Sequence, residues 1–266
     1  MATVQITSPF FWLAMFEAPR ARIKCREVLP WNAMRIVGFI KTSLLDWDGH
    51  VVSSIYLPGC NLLCPFCHNR DMVLHPESLE EVPFPVIADY VRSNSEFLDG
   101  VVVTGGEPTM HKDLPHLLRQ IKELGTKVKL DTNGTNPRML RDIIDAGLLD
   151  YVAMDLKAPL NERYDDLAGV KVDLESIKRS IEILETSGID HEFRTTVVPI
   201  LLTAQDVESM AAYIGGTKRY ALQQFRPGNT LDPNLNAVKP YSGAALKGMA
   251  ETAGRYVRKV IIRGDI

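Results

Sequence analysis

The chain has 266 residues, 45% of them hydrophobic, with 30 basic and 33 acidic side chains and a formal net charge of −3. That length and apolar content suit one large core, an α/β barrel among the candidates, while the near balance of charge excludes the global field that draws a protein onto nucleic acid or an anionic membrane. Four cysteines, three of them between Leu57 and Asn69, argue against a disulfide framework and for a reducing, cytoplasmic interior.

In chain order, the first apolar run is "FFWLAMF", Phe10 to Phe16, far shorter than a membrane span and without the basic lead or cleavage site of a secretion signal. The organised pattern starts at Met34, so residues 1–33 read as an extension and 34–266 as the working domain. From residue 51 onward, β-branched runs alternate with stretches of helical period. Strands are expected at Val51–Leu57, Gly100–Gly105, Lys127–Thr132, Tyr151–Lys157, Glu192–Val198 and Tyr220–Phe225. The intervening helices carry their own punctuation, with Asp113, Asn136 and Asp173 placed as N-caps and Gly125, Gly147 and Gly188 as stops. Six strand-then-helix units imply a parallel sheet with helices outside; a closed eight-fold barrel needs more, so an open (β/α)6 partial TIM barrel fits. Tyr256–Gly264 adds an edge strand. In such barrels functional groups gather at the carboxyl ends of the strands. Here those ends read "TGGEPT", "DTNG", "MDLKAP", "RTTVVP" and "QQFRPG", after the cysteine segment "LPGCNLLCPFCHN".

Cys60, Cys64 and Cys67 are soft ligands for zinc, cuprous copper or iron–sulfur clusters. Zinc could use Cys64 and Cys67 with Cys60 or His68, yet structural zinc sites draw a second pair from elsewhere and none exists; the remaining thiol, Cys25, sits in the extension. An ordinary ferredoxin cluster takes four cysteines. A four-iron cluster with three protein-held irons and one open iron remains, and an open position is what a reactive centre keeps for its substrate.

These three cysteines, with Phe66 before the last, resemble the cluster motif of the radical S-adenosylmethionine (SAM) superfamily. The resemblance implies a 4Fe-4S cluster whose open iron takes the amino and carboxylate groups of SAM, and reductive cleavage to methionine and a 5′-deoxyadenosyl radical. "GGEP", Gly105 to Pro108, is similar to the element that receives the methionyl amino group, its glycines letting backbone carbonyls and Glu107 approach the ligand; alone, it could be a strand-to-helix turn. "CPFCHN" followed by "GGEPT", "DTNG" and "MDLKAP" resembles the activating enzymes of glycyl radical proteins, the group serving pyruvate formate-lyase and anaerobic ribonucleoside-triphosphate reductase. Gly38–Gly49 resembles the lead-in strand region of the latter, and the likeness runs from residue 34 to about 230.

Carried over position by position, Asp131, Thr132, the Met154 backbone and Asp155 match a site for a monovalent cation and the SAM carboxylate, and Lys157 would neutralise that carboxylate. Arg194 matches a residue near the nucleoside end, Phe66 and His68 adjoin the cofactor, and Gln223 or Gln224 falls where relatives often carry a histidine. No side chain is assigned a catalytic role. His68 and Asn69 have a capping or loop role as their plain alternative, and His111 and His116 read as surface or helix residues. Arg70, Asp71 and the loop from Met72 to Pro83 follow the cluster motif, to close over it or to face a partner. With no cysteines for further clusters, electrons must come from outside, from a flavodoxin or ferredoxin. The implied partner is a glycyl radical protein, an anaerobic ribonucleotide reductase first. Two rivals stand beside this reading. One is a relative acting on a small molecule, such as a deazaguanine carboxylate synthase, although those follow the third cysteine with aspartate where His68 stands here. The other is a non-enzymatic zinc or electron-transfer module.

Overall fold

The computed structural model describes residues 34–264. The expected extension, with Cys25 and the Phe10–Phe16 run, lies outside the described residues. Among these residues, eight strands form one sheet in chain order: β1 (Gly38–Ser43), β2 (Val52–Leu57), β3 (Gly100–Gly105), β4 (Lys127–Thr132), β5 (Tyr151–Asp155), β6 (Asp190–Val197), β7 (Tyr220–Gln224) and β8 (Val260–Arg263). From β2 to β8 every pairing is parallel. The β1–β2 pair is antiparallel, a hairpin that the strand count from residue 51 did not contain. The expected edge strand near the C-terminus is β8.

Among the described residues, eight α-helices connect the strands: α1 (Arg70–Leu74), α2 (Phe84–Ser93), α3 (Leu114–Lys122), α4 (Pro137–Asp145), α5 (Arg163–Ala168), α6 (Leu174–Ser187), α7 (Ala204–Tyr213) and α8 (Gly243–Ala253). Asn136 and Asp173 cap as expected, accepting from the Met139 and Glu175 amides, and Gly188 ends α6 in the left-handed region. Asp113 does not: its backbone is not extended, so the side chain makes no cap hydrogen bond. Thr203 and Asp206 form a capping box at α7. None of the described helices is long and apolar enough to cross a membrane.

A sheet wound in chain order puts its crossovers on one side, because parallel connections share one hand. The outward residues Ile55, Val101, Val103, Val128, Leu130, Val152, Phe193 and Leu222 are fully buried in the main core. The alternate positions face inward, and they are largely polar: Ser54, Tyr56, Lys129, Asp131, Asp155, Glu192, Arg194 and Arg263 by register. A small apolar cluster of Trp47, Val52, Val102, Tyr151 and Ala153 floors this interior at the strands' amino ends. Trp47, from the β1–β2 connection, packs on Tyr151 with the rings tilted by 42° and 5.5 Å between centroids. Gly100 makes room for it, since a Cβ there would meet the indole at 2.9 Å. Beside the floor, Arg263 of β8 bonds both oxygens of Glu192 at 2.7 and 2.8 Å and reaches Asp48 at 2.7 Å, joining the last strand to the β1–β2 connection.

Candidate functional site

The cysteine segment leaves β2 at the carboxyl rim and is pinned from several sides. Gly106 N–H donates to the Leu57 carbonyl and Glu107 N–H to the Gly59 carbonyl, both at 2.9 Å; Gly59 N–H donates to Met72 at 2.8 Å. Leu63 N–H donates to Ala168 at the end of α5, while the carbonyls of Pro65 and Cys67 accept from Asp232 and Leu231 after β7. His111 bonds the Pro58 carbonyl through Nε2 at 2.9 Å, and Asn69 donates to the Gly105 carbonyl at 2.7 Å. His68 Nε2 lies 2.8 Å from the Arg226 carbonyl, and its ring tilts toward Phe225. His68 and Asn69 therefore fix the loop; His116 is exposed on α3.

The two glycines of "GGEP" owe their presence to the chain itself. A Cβ on Gly106 would stand 1.8 Å from the Gly59 carbonyl oxygen, and one on Gly105 2.3 Å from that of Leu57. Gly105 also has φ of +122°, open only to glycine at low cost. Close approach is required, as the sequence suggested, but the approaching group is the cysteine loop. Glu107 likewise turns inward. It is fully buried and accepts from Thr109 N–H and hydroxyl, the Thr132 hydroxyl and Asn133 N–H, at 2.5 to 3.0 Å. Burial pushes its carboxyl up against the pull of those donors. Glu107 thus ties the ends of β3 and β4 together.

Cys64 is buried, with Cys60 and Cys67 partly so. Desolvation pushes Cys60 up to about 12 and Cys64 to about 11, and raises Cys67. Lys157 pulls all three down, so its charge favours the thiolates that iron requires. Asn133 Nδ2 lies 3.9 Å from Cys60 Sγ and bonds Asn61 at 3.0 Å. Among the described residues no three Cys, His, Asp or Glu side chains converge on a single metal ion. A cluster that gives each thiolate its own iron does not ask them to, and the clasped, desolvated loop of soft ligands fits such a group.

Next to the thiols a chain of five charges rises from the barrel interior to the rim. Lys129 Nζ is 3.2 Å from Asp131 Oδ1; Asp131 Oδ2 is 3.0 Å from Arg194 Nη1; Arg194 Nε is 2.8 Å from Asp155 Oδ1; Asp155 Oδ2 is 2.9 Å from Lys157 Nζ. Side-chain exposure grows from 1% at Lys129 to 27% at Asp155, which places the open end at Asp155 and Lys157. Burial alone would raise the carboxyls of Asp131 and Asp155, but Arg194, with Lys129 on the first and Lys157 on the second, holds both below the usual range. Lys157 is raised despite burial by Asp155 and Cys64, and its ammonium sits 6.0 Å from the centre of the buried Phe66 ring.

Cys60, Cys64, Cys67, Phe66, Lys157 and Asp155 are thus brought to one mouth, with Gly105, Gly106, His68, Thr132 and Glu107 as its frame. Arg194 stands between Asp131 and Asp155. Gln224 donates to the Tyr241 carbonyl at 2.7 Å; Gln223 faces inward beside Arg263 and Thr196. Sequence reasoning missed Lys129, although the period of "KVKLDT" puts it on the face of Asp131. It also missed Tyr164, fully buried, whose hydroxyl lies 3.4 Å from the Lys157 amide.

Residues 54–214 match the Radical SAM superfamily. The chain belongs to that superfamily. A protein of Methanocaldococcus jannaschii, provisionally named a glycyl-radical enzyme activating enzyme, is 32% identical over 236 residues, 86% of this chain and 95% of the relative. A 7-carboxy-7-deazaguanine synthase of Thermococcus kodakarensis is 28% identical over 193 residues, 64% of this chain and 72% of the relative. In fold, Streptococcus suis SuiB solved with SAM bound superposes with a TM-score of 0.61 at 15% identity, covering 79% of this chain; the chain spans about half the length of that structure. As a radical SAM enzyme, this protein uses a 4Fe-4S cluster and SAM, and the open barrel expected from six units is the superfamily's fold.

Proposed function

We propose that this radical SAM enzyme installs a glycyl radical on a partner protein, an anaerobic ribonucleotide reductase, using electrons from a flavodoxin or ferredoxin. The observation that carries the reading is the near full-length match to a relative named as a glycyl-radical enzyme activating enzyme, joined by a second M. jannaschii protein of that provisional name at 27% identity over 76% of its length. Cys60, Cys64 and Cys67 would hold three irons of the 4Fe-4S cluster, which would supply the electron for reductive cleavage of SAM. The protein's own work is positional. Lys157 faces the methionyl carboxylate, Phe66 walls the mouth beside it, and the Gly105–Glu107 turn and His68 hold the cysteine loop in register. The buried walls around the thiols exclude water from the reacting atoms. The partner's glycine segment reaches them from the rim, where Asp155 and Lys157 are the partly exposed end of the charge chain.

The deazaguanine relative supports a rival in which a small molecule occupies the mouth. Anaerobic reconstitution, reduction and addition of SAM should yield 5′-deoxyadenosine, and adding the reductase should yield a glycyl radical doublet by electron paramagnetic resonance. Cleavage that produces no radical on any glycyl protein, with turnover of a purine-like substrate instead, would replace this reading by the rival.

A further inference from the structure

The superfamily resemblance sets a monovalent cation between Asp131, Thr132, the Met154 carbonyl and Asp155. These residues do not fit one here. The guanidinium of Arg194 bridges the two carboxylates, 3.0 Å from Asp131 and 2.8 Å from Asp155. The other two carboxylate oxygens face Lys129 at 3.2 Å and Lys157 at 2.9 Å. Each of the four anionic oxygens of the would-be cation site therefore faces a fixed cation, although Asp131 Oδ1 is only ion-paired: Lys129 gives its hydrogen bond to the Asp46 carbonyl and leaves that oxygen without one. The Thr132 hydroxyl is engaged too, donating to Glu107 and accepting from Gly134 N–H at 2.8 and 3.1 Å. A hard ion needs a shell of oxygens, anionic ones above all, and the place between the two carboxylates where it would gather them is held by the Arg194 guanidinium.

Charge counting agrees. Lys129, Arg194 and Lys157 outnumber Asp131 and Asp155 by one, and Glu192, which also acts on Arg194, is already paired with Arg263 at 2.7 Å. One ligand carboxylate balances this excess, whereas an added cation would raise it from one charge to two. We infer that the Arg194 guanidinium takes the place of the monovalent cation in this enzyme, so that SAM binding needs neither Na+ nor K+. The carboxylate pair remains a latent cation site, opened by removing the arginine. The inference concerns the SAM site alone and does not depend on which molecule the radical attacks.

The test measures SAM dissociation from cluster-loaded enzyme, without oxygen, in buffers whose sole monovalent cation is K+, Na+ or N-methyl-D-glucammonium at matched ionic strength. Wild type should keep its Kd within about threefold across all three. Arg194→Met should bind more weakly in the organic cation and recover by more than about threefold in K+ or Na+. The melting temperature of metal-free Arg194→Met should rise with the same ions, while wild type and Arg194→Lys, which keep the charge, should not respond. A wild-type Kd that worsens by more than about threefold in the organic cation overturns the inference. So does an Arg194→Met protein indifferent to the cation in both readouts; if that variant does not fold, wild type and Arg194→Lys decide alone.

Discussion

Replacing Gly106 by alanine asks whether the cysteine loop is held by close backbone contact. The added Cβ would stand 1.8 Å from the Gly59 carbonyl oxygen, where ordinary contact begins at 3.4 Å, and the obstacle is backbone with no rotamer to yield. Relief requires moving Gly59 and its neighbour Cys60 away from the end of β3. Two hydrogen bonds then stretch, Gly106 to Leu57 and Glu107 to Gly59, each 2.9 Å and each worth about 1 kcal/mol. With about 1–3 kcal/mol of overpacking, the cost comes to roughly 3–5 kcal/mol. Gly125→Ala is the control: its φ is +79° and nothing lies within 4 Å of a Cβ there, so it carries backbone strain without the clash and should cost about 1–2 kcal/mol. Both variants are assayed for melting temperature, and for iron and sulfide bound after anaerobic reconstitution. Gly106→Ala should melt lower than the control and hold far less cluster, while Gly125→Ala should hold a normal one. Wild-type iron content and melting temperature in Gly106→Ala would refute the idea that these glycines serve the loop.

Cys64→Ala should abolish bound iron and 5′-deoxyadenosine formation, while Cys25→Ala should retain both; loss of activity in the latter would give the extension a part in the reaction. Asp155→Asn leaves Arg194 and Lys157 short of a partner and should cost about 3 kcal/mol in urea unfolding of the metal-free chain. Because Asp155's carboxyl is held below its ordinary 3.8, its contribution is present in full above about pH 4 and drains away as pH falls through the folded value. The gap between wild type and variant should accordingly narrow below pH 4, and a gap that widens there would contradict the assignment. Ile200→Gly should raise the melting temperature by about 2 °C. Ile200 is 73% exposed with φ of +68°, at the third position of the Val198–Leu201 turn behind Pro199, where glycine is the favoured residue. A fall in melting temperature would mean that its side chain packs on something that matters to the fold.

Much of this architecture was legible because strands and helices announce themselves locally. The β-branched runs "KVKLDT" and "YVAMDLK" marked strands whose acids end at the carboxyl rim, and three closely spaced thiols needed no distant partner to be noticed. The β1–β2 hairpin was harder to read, since Trp47 is specified by Gly100 and Tyr151, residues 53 and more positions away. The purpose of Gly105 and Gly106 was legible only halfway. That something must come close follows from the glycines; that it is Leu57 and Gly59 follows from parallel register, which one strand's sequence does not carry. Arg194 illustrates the same limit in electrostatics. Its place between Asp131 and Asp155 depends on β4, β5 and β6 lying side by side, and a motif matched position by position cannot show which cation satisfies two acids.

The floor made by Trp47 gives the barrel a dead end. With indole and phenol packed across the amino side and Arg263 stapling β8 to Asp48, traffic through that side is closed. Under the proposed function, the reagent and the protein that receives its radical then share a doorway, and spent methionine and nucleoside leave by the way they came. A docked partner would act as the stopper. Turnover would be paced by its departure, and an excess of partner would trap the spent fragments inside.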